Sequence, residues 1–430
     1  MYTLSRVVPR ADSAGFPPTP VLTKICFLAC SLLVSLHGAS TASSDRAAGS
    51  SSATPHAADD PVALLVGRLN LEGYKDTIKG LTRFGDRQEG TDRNRAALDW
   101  IEAQLKSYGY ATTERQKYDY MPADPRKARG TSAAGRSQPT APPASTARIR
   151  GVRVPTGARA KALAPPDPRL VALNAQKSVP GPREQIFCTK IGASRPDEMY
   201  IVSAHMDGRG GGEAANDDGS GTALVMELAR IFGSPEVKTE RSIRFVLWNN
   251  EETGVNGAQA YVEQRAALQG REDPPGSGRF PEPKWLGMIQ HDMMLYDHGM
   301  PRADGTVSAE QRPEADVNIE FPAKAKFGRE AQQLAWLLYA ANEKYATDYP
   351  AAVGPHMSNT DSVPFQDLIP AVSLRENERL REIGAGWNPH YHQATDVFSA
   401  YSDKDFRLGL NAAQTTLSAV ALLADATLQH

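Results

Sequence analysis

Five short stretches of this 430-residue chain carry imidazole and carboxylate side chains at places where a fold could gather them. His205-Met-Asp207 follows the apolar run Met199 to Ala204, and Asp217-Asp218 stands just before Gly219-Ser-Gly221. Glu251-Glu252 follows Ile243 to Trp248, and Asp292 follows Leu286 to His291. His392 lies in a late loop from Asn388 to Asp396. Imidazole nitrogen and carboxylate oxygen are the donors of catalytic zinc, which keeps one position open for water. Two zinc ions about 3.5–4 Å apart need a bridging ligand, a role that suits a carboxylate. Three carboxylates against two dications leave one positive charge, which a hydroxide would neutralise. Each stretch also has an ordinary alternative. Asp217-Asp218 can cap a helix, Glu251-Glu252 can be surface charge, Asp292 can end a strand, and His390 stands two residues from His392.

The elements around these residues decide whether they meet. Strand-like runs are Gln185–Ile191, Met199–Ala204, Ile243–Trp248, Leu286–His291 and Ala371–Leu374. Helix-like runs are Ser220–Phe232, Gly257–Ala267, Arg329–Tyr345 and Asp403–Thr427. This alternation predicts an α/β fold, a sheet with helices on both faces. Ligands in such sheets bind beyond the carboxyl ends of the strands. Three strand exits and one helix entrance then deliver the donors to a single edge, and the His392 loop can close over it. Upstream, Val62–Leu69 and Arg93–Tyr108 have helical spacing, Gly109 stops the second, and Phe84–Thr91 reads as a loop. Residues 61–120 are therefore expected to be an N-terminal helical part, and 184–430 the core. Between them, 121–183 is rich in Pro, Ala, Arg, Gly and Ser and reads as an irregular insertion.

Composition narrows the partners. A charged fraction of 23%, an apolar fraction of 40% and a formal net charge of −2 describe a globular chain without a polyanion-binding surface, so no nucleic-acid partner is expected. Nothing after residue 40 has the apolar length of a bilayer span. Basic residues, the short apolar run Ile25 to Leu36 and the small residues ending at Ser40-Thr41-Ala42 fit an export signal over 1–42. The expected product is periplasmic or secreted and free of the membrane, with a disordered leader over 43–60. Cys26 and Cys30 fall in that signal, which leaves Cys188 as a buried strand residue with no disulfide partner.

His205-Met-Asp207, Ala215-Asn-Asp-Asp-Gly-Ser-Gly-Thr222, Asn250-Glu-Glu-Thr-Gly254, Gln290-His-Asp-Met293 and Asn388-Pro-His-Tyr-His392 occur in this order. Together they resemble the M28 family of zinc peptidases, over roughly residues 184–430. The resemblance implies a mixed, mostly parallel sheet of the zinc-exopeptidase, phosphorylase/hydrolase-like type, with two zinc ions per chain. It implies that Asp217 bridges them, that His205 and Asp292 complete one site, and that Glu252 and His392 complete the other. Glu251 would be the general base, and Asp207 would accept a hydrogen bond from the far nitrogen of His205. A cis peptide bond is expected at Asp217–Asp218. The chain departs from the family where Thr360-Asp361-Ser362 stands in place of Ser-Asp-His, before Val363-Pro364-Phe365.

The implied function is an exported aminopeptidase acting on peptides. A carboxypeptidase or dipeptidase would use the same metals, a glutaminyl cyclase would use one, and a non-catalytic binding domain would be expected to lose ligands or base. Among the other side chains, His291 is expected in the core and His298 and His356 in exposed loops. Trp387 and Tyr391 could line a pocket. The Arg375–Arg381 run reads as a solvated face in which an arginine could meet a substrate carboxylate.

Overall fold

Side chains on the central strands sort by parity, as strand geometry requires. Met199 and Ile201 face one apolar cluster, whereas Val202 and Ala204 face another. Val246 and Trp248 likewise join the first cluster, and Ile243, Phe245 and Leu247 the second. Strands buried on both sides need helices on both sides. The computed structural model supplies them, describing residues 60–120, 167–296, 317–355, 360–376, 388 and 390–429. The export signal, nearly all of the leader, most of the 121–183 stretch, His298, His356 and Trp387 lie outside the described residues.

The N-terminal helices are α1 (Pro61–Val66), α2 (Leu71–Thr82) and α3 (Asp92–Ser107). Two were expected; Asn70 accounts for the third, because its side chain accepts from the Gly73 amide and starts a new helix. Gly73 and Gly80 inside α2 weaken its helical signal in the sequence. Strand β1 (Thr113–Tyr120) follows, then α4 (Pro168–Asn174) and β2 (Gly181–Lys190). Gly181 to Arg183, at the end of the expected irregular stretch, are therefore paired with Tyr118 to Tyr120.

The remaining elements are β3 (Arg195–His205), α5 (Gly219–Gly233), β4 (Val237–Lys238), β5 (Arg241–Trp248), α6 (Asn256–Arg265), β6 (Lys284–His291) and β7 (Val317–Glu320). Then come α7 (Gly328–Tyr345), β8 (Ala351–Gly354), β9 (Ala371–Arg375), α8 (Asp403–Leu423) and β10 (Thr427–Leu428). Eight strands form one sheet in the order β1-β2-β5-β3-β6-β9-β7-β8. Its centre, β5-β3-β6-β9, is parallel; β1 and β2 join antiparallel at one end and β7 pairs antiparallel with β9 at the other. The last helix stops at Leu423, and Thr427–Leu428 pairs with β4 instead of continuing it.

Helices α2, α5, α7 and α8 cover the Phe245 face, and α6 with Phe365 covers the Trp248 face. After β3 the chain moves to β5 on one side and to β6 on the other. That reversal is the switch point at which open α/β sheets carry their sites. The described residues belong to one unit running from Thr54 to His430, and no described helix is long and apolar enough to cross a membrane.

Candidate metal centre

His205 ends β3 opposite Trp248 of β5, and Gln290 of β6 pairs with Ser203 on its other side. Register therefore places the residues after each strand together. His205, Asp217 and Asp292 form one group of potential ligands, and Asp217, Glu252 and His392 form a second. Asp217 belongs to both. His205 Nε2 lies 3.4 Å from Asp217 Oδ1 and 3.7 Å from Asp292 Oδ1. His392 Nε2 lies 3.0 Å from Asp217 Oδ2 and 3.1 Å from Glu252 Oε2. Two ligand atoms on a tetrahedral zinc, each about 2.1 Å from it, stand roughly 3.4 Å apart.

The fit can be tested on the atoms left over. His205 Nε2, Asp217 Oδ2 and Glu252 Oε1 are buried without a hydrogen-bond partner. Buried polar atoms rarely go unpaired, and these three belong to residues of the two groups. His205 Nδ1 lies 2.9 Å from the Asp207 carbonyl. A carbonyl only accepts, so in the neutral ring Nδ1 carries the proton and the Nε2 lone pair faces the cluster.

Neighbouring residues fix the backbone that carries these donors. Asp218 caps α5 through the Gly221 amide at 2.8 Å, and its other oxygen accepts from the His205 amide at 3.2 Å. It also accepts from the Met293 amide at 3.3 Å, so one carboxylate joins three segments of the site. The helix-cap reading therefore describes Asp218, while Asp217 turns into the cluster. The Asp217–Asp218 bond is cis. Asp396 accepts from the Asn216 and Asp217 amides at 2.9 and 3.1 Å. Arg87, fully buried, donates to the carbonyls of Met206, Glu213 and Ala214 and so ties together both ends of the β3–α5 loop. Gly210, at φ +104°, passes so close to the last loop that a Cβ there would stand 2.7 Å from the carbonyl carbon of His392.

Asp207 differs from the expectation drawn above. Its backbone carbonyl, not its carboxylate, meets His205, and its Oδ1 is 3.9 Å from the imidazole. The carboxylate instead accepts from the Glu251 and Glu252 amides at 3.2 and 3.4 Å. This follows from the sharp turn beyond β5, where Asn250 adopts φ +65° and turns those amides toward the β3 exit. Arg375 is another departure from expectation. It is buried rather than solvated, and its Nη2 donates to Asp292 Oδ2 at 2.6 Å. The Arg375 cation thus neutralises the side of Asp292 that faces away from His205.

With so many acids buried together, proton affinities spread apart. Burial, reinforced by neighbouring carboxylates, pushes Glu251, Asp218 and Asp361 well above the usual carboxyl range. Burial raises Asp207 to about 6, and burial with the Asp217 charge raises Glu252 to about 7. Asp217 goes the other way: burial opposes its charge, but His205 and His392 outweigh burial and lower it. Burial also disfavours charge on His392, yet Asp217 and Glu252 lift it to about 9. A carboxyl group with raised affinity beside potential ligands has the chemistry of a general base or acid.

The other singled-out residues sort clearly. His291 is core, with Nδ1 3.0 Å from the Ser203 carbonyl, Nε2 2.8 Å from Thr416 Oγ1, and burial holding it down at about 4. His390 contacts Thr395, whereas Tyr391 stacks on His392 at 3.7 Å. Asp361 is buried against Gln290, and Ser362, standing where the family has histidine, pairs with Ser373. Cys188 is buried and free.

Residues 187–415, more than half of the chain, match the model of peptidase family M28. The chain belongs to that family. Among curated relatives, the probable lipoprotein aminopeptidase LpqL of Mycobacterium tuberculosis is 26% identical over 57% of this chain and 46% of its own length. Carboxypeptidase Q of Xenopus laevis is 36% identical over 17% of this chain and 16% of its own length. The matches thus span less than half the length of these two relatives. The structure of BSAP, a zinc aminopeptidase from Bacillus subtilis, superposes with a TM-score of 0.55 at 16% identity, over 82% of this chain and 95% of that one. That likeness is one of fold. It agrees with the mixed, mostly parallel sheet flanked by helices.

Proposed function

We propose that the chain is an exported metallo-aminopeptidase that works with two zinc ions. The observation that carries this reading is the position of Asp217, whose two carboxylate oxygens face the two separate donor groups. His205, Asp217 and Asp292 would hold one ion, and Asp217, Glu252 and His392 the other. Bound there, zinc would supply Lewis acidity toward a scissile carbonyl and acidify a water.

The chain's own residues do the rest. Glu251 takes a proton from the attacking water and passes it to the leaving amine nitrogen. Burial among like charges raises the proton affinity of the same carboxyl. Opposite charge close by reverses that, freeing it to act as a base. Asp207 sets the position of Glu251 and Glu252 through their amides. Asp218 and Asp396 hold the Asp217 backbone from two sides.

Peptides are the substrates this family membership supports. Removal of N-terminal residues is favoured over carboxypeptidase action by the broader match, which covers 57% of the chain for the aminopeptidase and 17% for the carboxypeptidase. The two-group ligand set does not favour a one-zinc cyclase or a binding domain. Peptides blocked at either end decide the direction: N-acetylation should abolish cleavage and C-terminal amidation should leave it intact. The opposite pattern would assign a carboxypeptidase. Export rests on the signal-like residues 1–42, and sequencing the N-terminus of the mature protein should find it just after Ala42.

A further inference from the structure

We propose that Arg209 is a tethered cation that holds the Glu252–His392 half of the centre when no ion is there and is displaced when an ion enters. The inference rests on the two-metal reading above.

Arg209 lies in the glycine-rich β3–α5 loop, with its side chain 49% exposed. Its Nε is 3.0 Å from Glu252 Oε2, and its Nη2 is 2.6 Å from His392 Nδ1. A guanidinium is always protonated and only donates. The 2.6 Å contact therefore requires a lone pair on Nδ1, which in the neutral ring puts the proton on Nε2. That nitrogen lies 3.0 Å from Asp217 Oδ2 and 3.1 Å from Glu252 Oε2.

An ion held by His392 Nε2 uses the lone pair of that nitrogen, so the proton of the neutral ring must move to Nδ1. There it would point at a guanidinium N–H, donor against donor. Glu252 Oε2 would also have to serve an ion and the Arg209 Nε–H together. Occupancy of this half and the Arg209 contact therefore exclude each other. Being half-exposed, the side chain can leave for solvent without breaking buried packing.

The other half is built in the opposite sense. His205 Nδ1 faces a carbonyl acceptor, and its Nε2 is left without a partner. The arginine on that side, Arg375, binds the oxygen of Asp292 that is turned away from His205. One half is set for an ion before the ion arrives; the other is set for a cation that the chain itself provides.

The test is zinc binding to the full chain, titrated in competition with a chromophoric chelator, for the native protein, Arg209→Gln and His392→Ala. Removing the guanidinium should tighten the weaker zinc step on the order of 10-fold while leaving the tighter step within about twofold. His392→Ala should lose the weaker step. An unchanged or weakened second step in Arg209→Gln would overturn the inference while leaving the two-metal reading intact. A single zinc per chain in native and Arg209→Gln proteins alike would overturn that reading, and the inference with it.

Discussion

Adjacent carboxylates in this chain do different work, and the difference lies in where their oxygens find partners. Asp218 spends both oxygens on backbone amides of His205, Gly221 and Met293, while Asp217 leaves one oxygen buried without a hydrogen bond. Glu251 and Glu252 are placed by the same Asp207 carboxylate, yet only Glu252 joins a ligand group. Replacing Glu251 with Gln should lower kcat about 100-fold or more while zinc content stays unchanged. Near-native turnover would remove it from the role of base. The donors other than His392 were legible in the sequence because each follows an apolar run or precedes a helix. Choosing His392 over His390 took the family resemblance. Arg209 and Arg375 were not legible as site residues, because an arginine in a glycine-rich or charged stretch reads as solvated surface, and only tertiary contacts show otherwise. Asp207 was legible as part of the site, but backbone turns decide which of its oxygens meets His205.

Among the elements, the long central strands and helices were visible because their apolar residues recur at strand and helix periods. The edge was harder. Strand β1 reads Thr-Glu-Arg-Gln-Lys-Tyr-Asp-Tyr, with only Gln116 and Tyr118 buried, so it carries little apolar signal of its own. It is a strand because β2 offers it a paired edge from Thr113–Cys188 to Tyr120–Gly181. Strands β7 and β8 are four residues each, too short for a period to show. The loop between β3 and α5 takes its form from Arg87, a residue more than a hundred positions upstream of it. Arg87→Met would leave the carbonyls of Met206, Glu213 and Ala214 buried without this donor. Charged-group hydrogen bonds contribute roughly 1.5–3 kcal/mol each, so a stability loss of about 3 kcal/mol or more is expected in denaturant melts. A loss within about 0.5 kcal/mol, the range of ordinary surface substitutions, would show that the loop does not depend on it.

Across the whole molecule, the centre concentrates more buried acid than its arginines balance, and this shapes the pH dependence of the metal-free protein. Asp207, Glu252 and Asp396 have folded values raised to about 6, 7 and 7. A carboxyl raised in the folded state keeps its proton after the unfolded chain has lost it, so stability falls as pH rises toward the folded value. The chelated protein should therefore have a lower Tm at pH 8.5 than at pH 5.5, and the Tm gain on adding zinc should be larger at the higher pH, where the ligands are free of protons. A metal-free Tm that rises over this interval would contradict the charge picture. The central claim is that the two groups sharing Asp217 form one hydrolytic centre. It is tested most directly by following hydrolysis of an aminoacyl-nitroanilide against zinc bound per chain as a chelated sample is reloaded. The account predicts negligible hydrolysis without zinc and full activity at two ions per chain. Hydrolysis that persists in the chelated protein, or a fully loaded protein that cleaves no substrate in a panel of aminoacyl-nitroanilides, would contradict it.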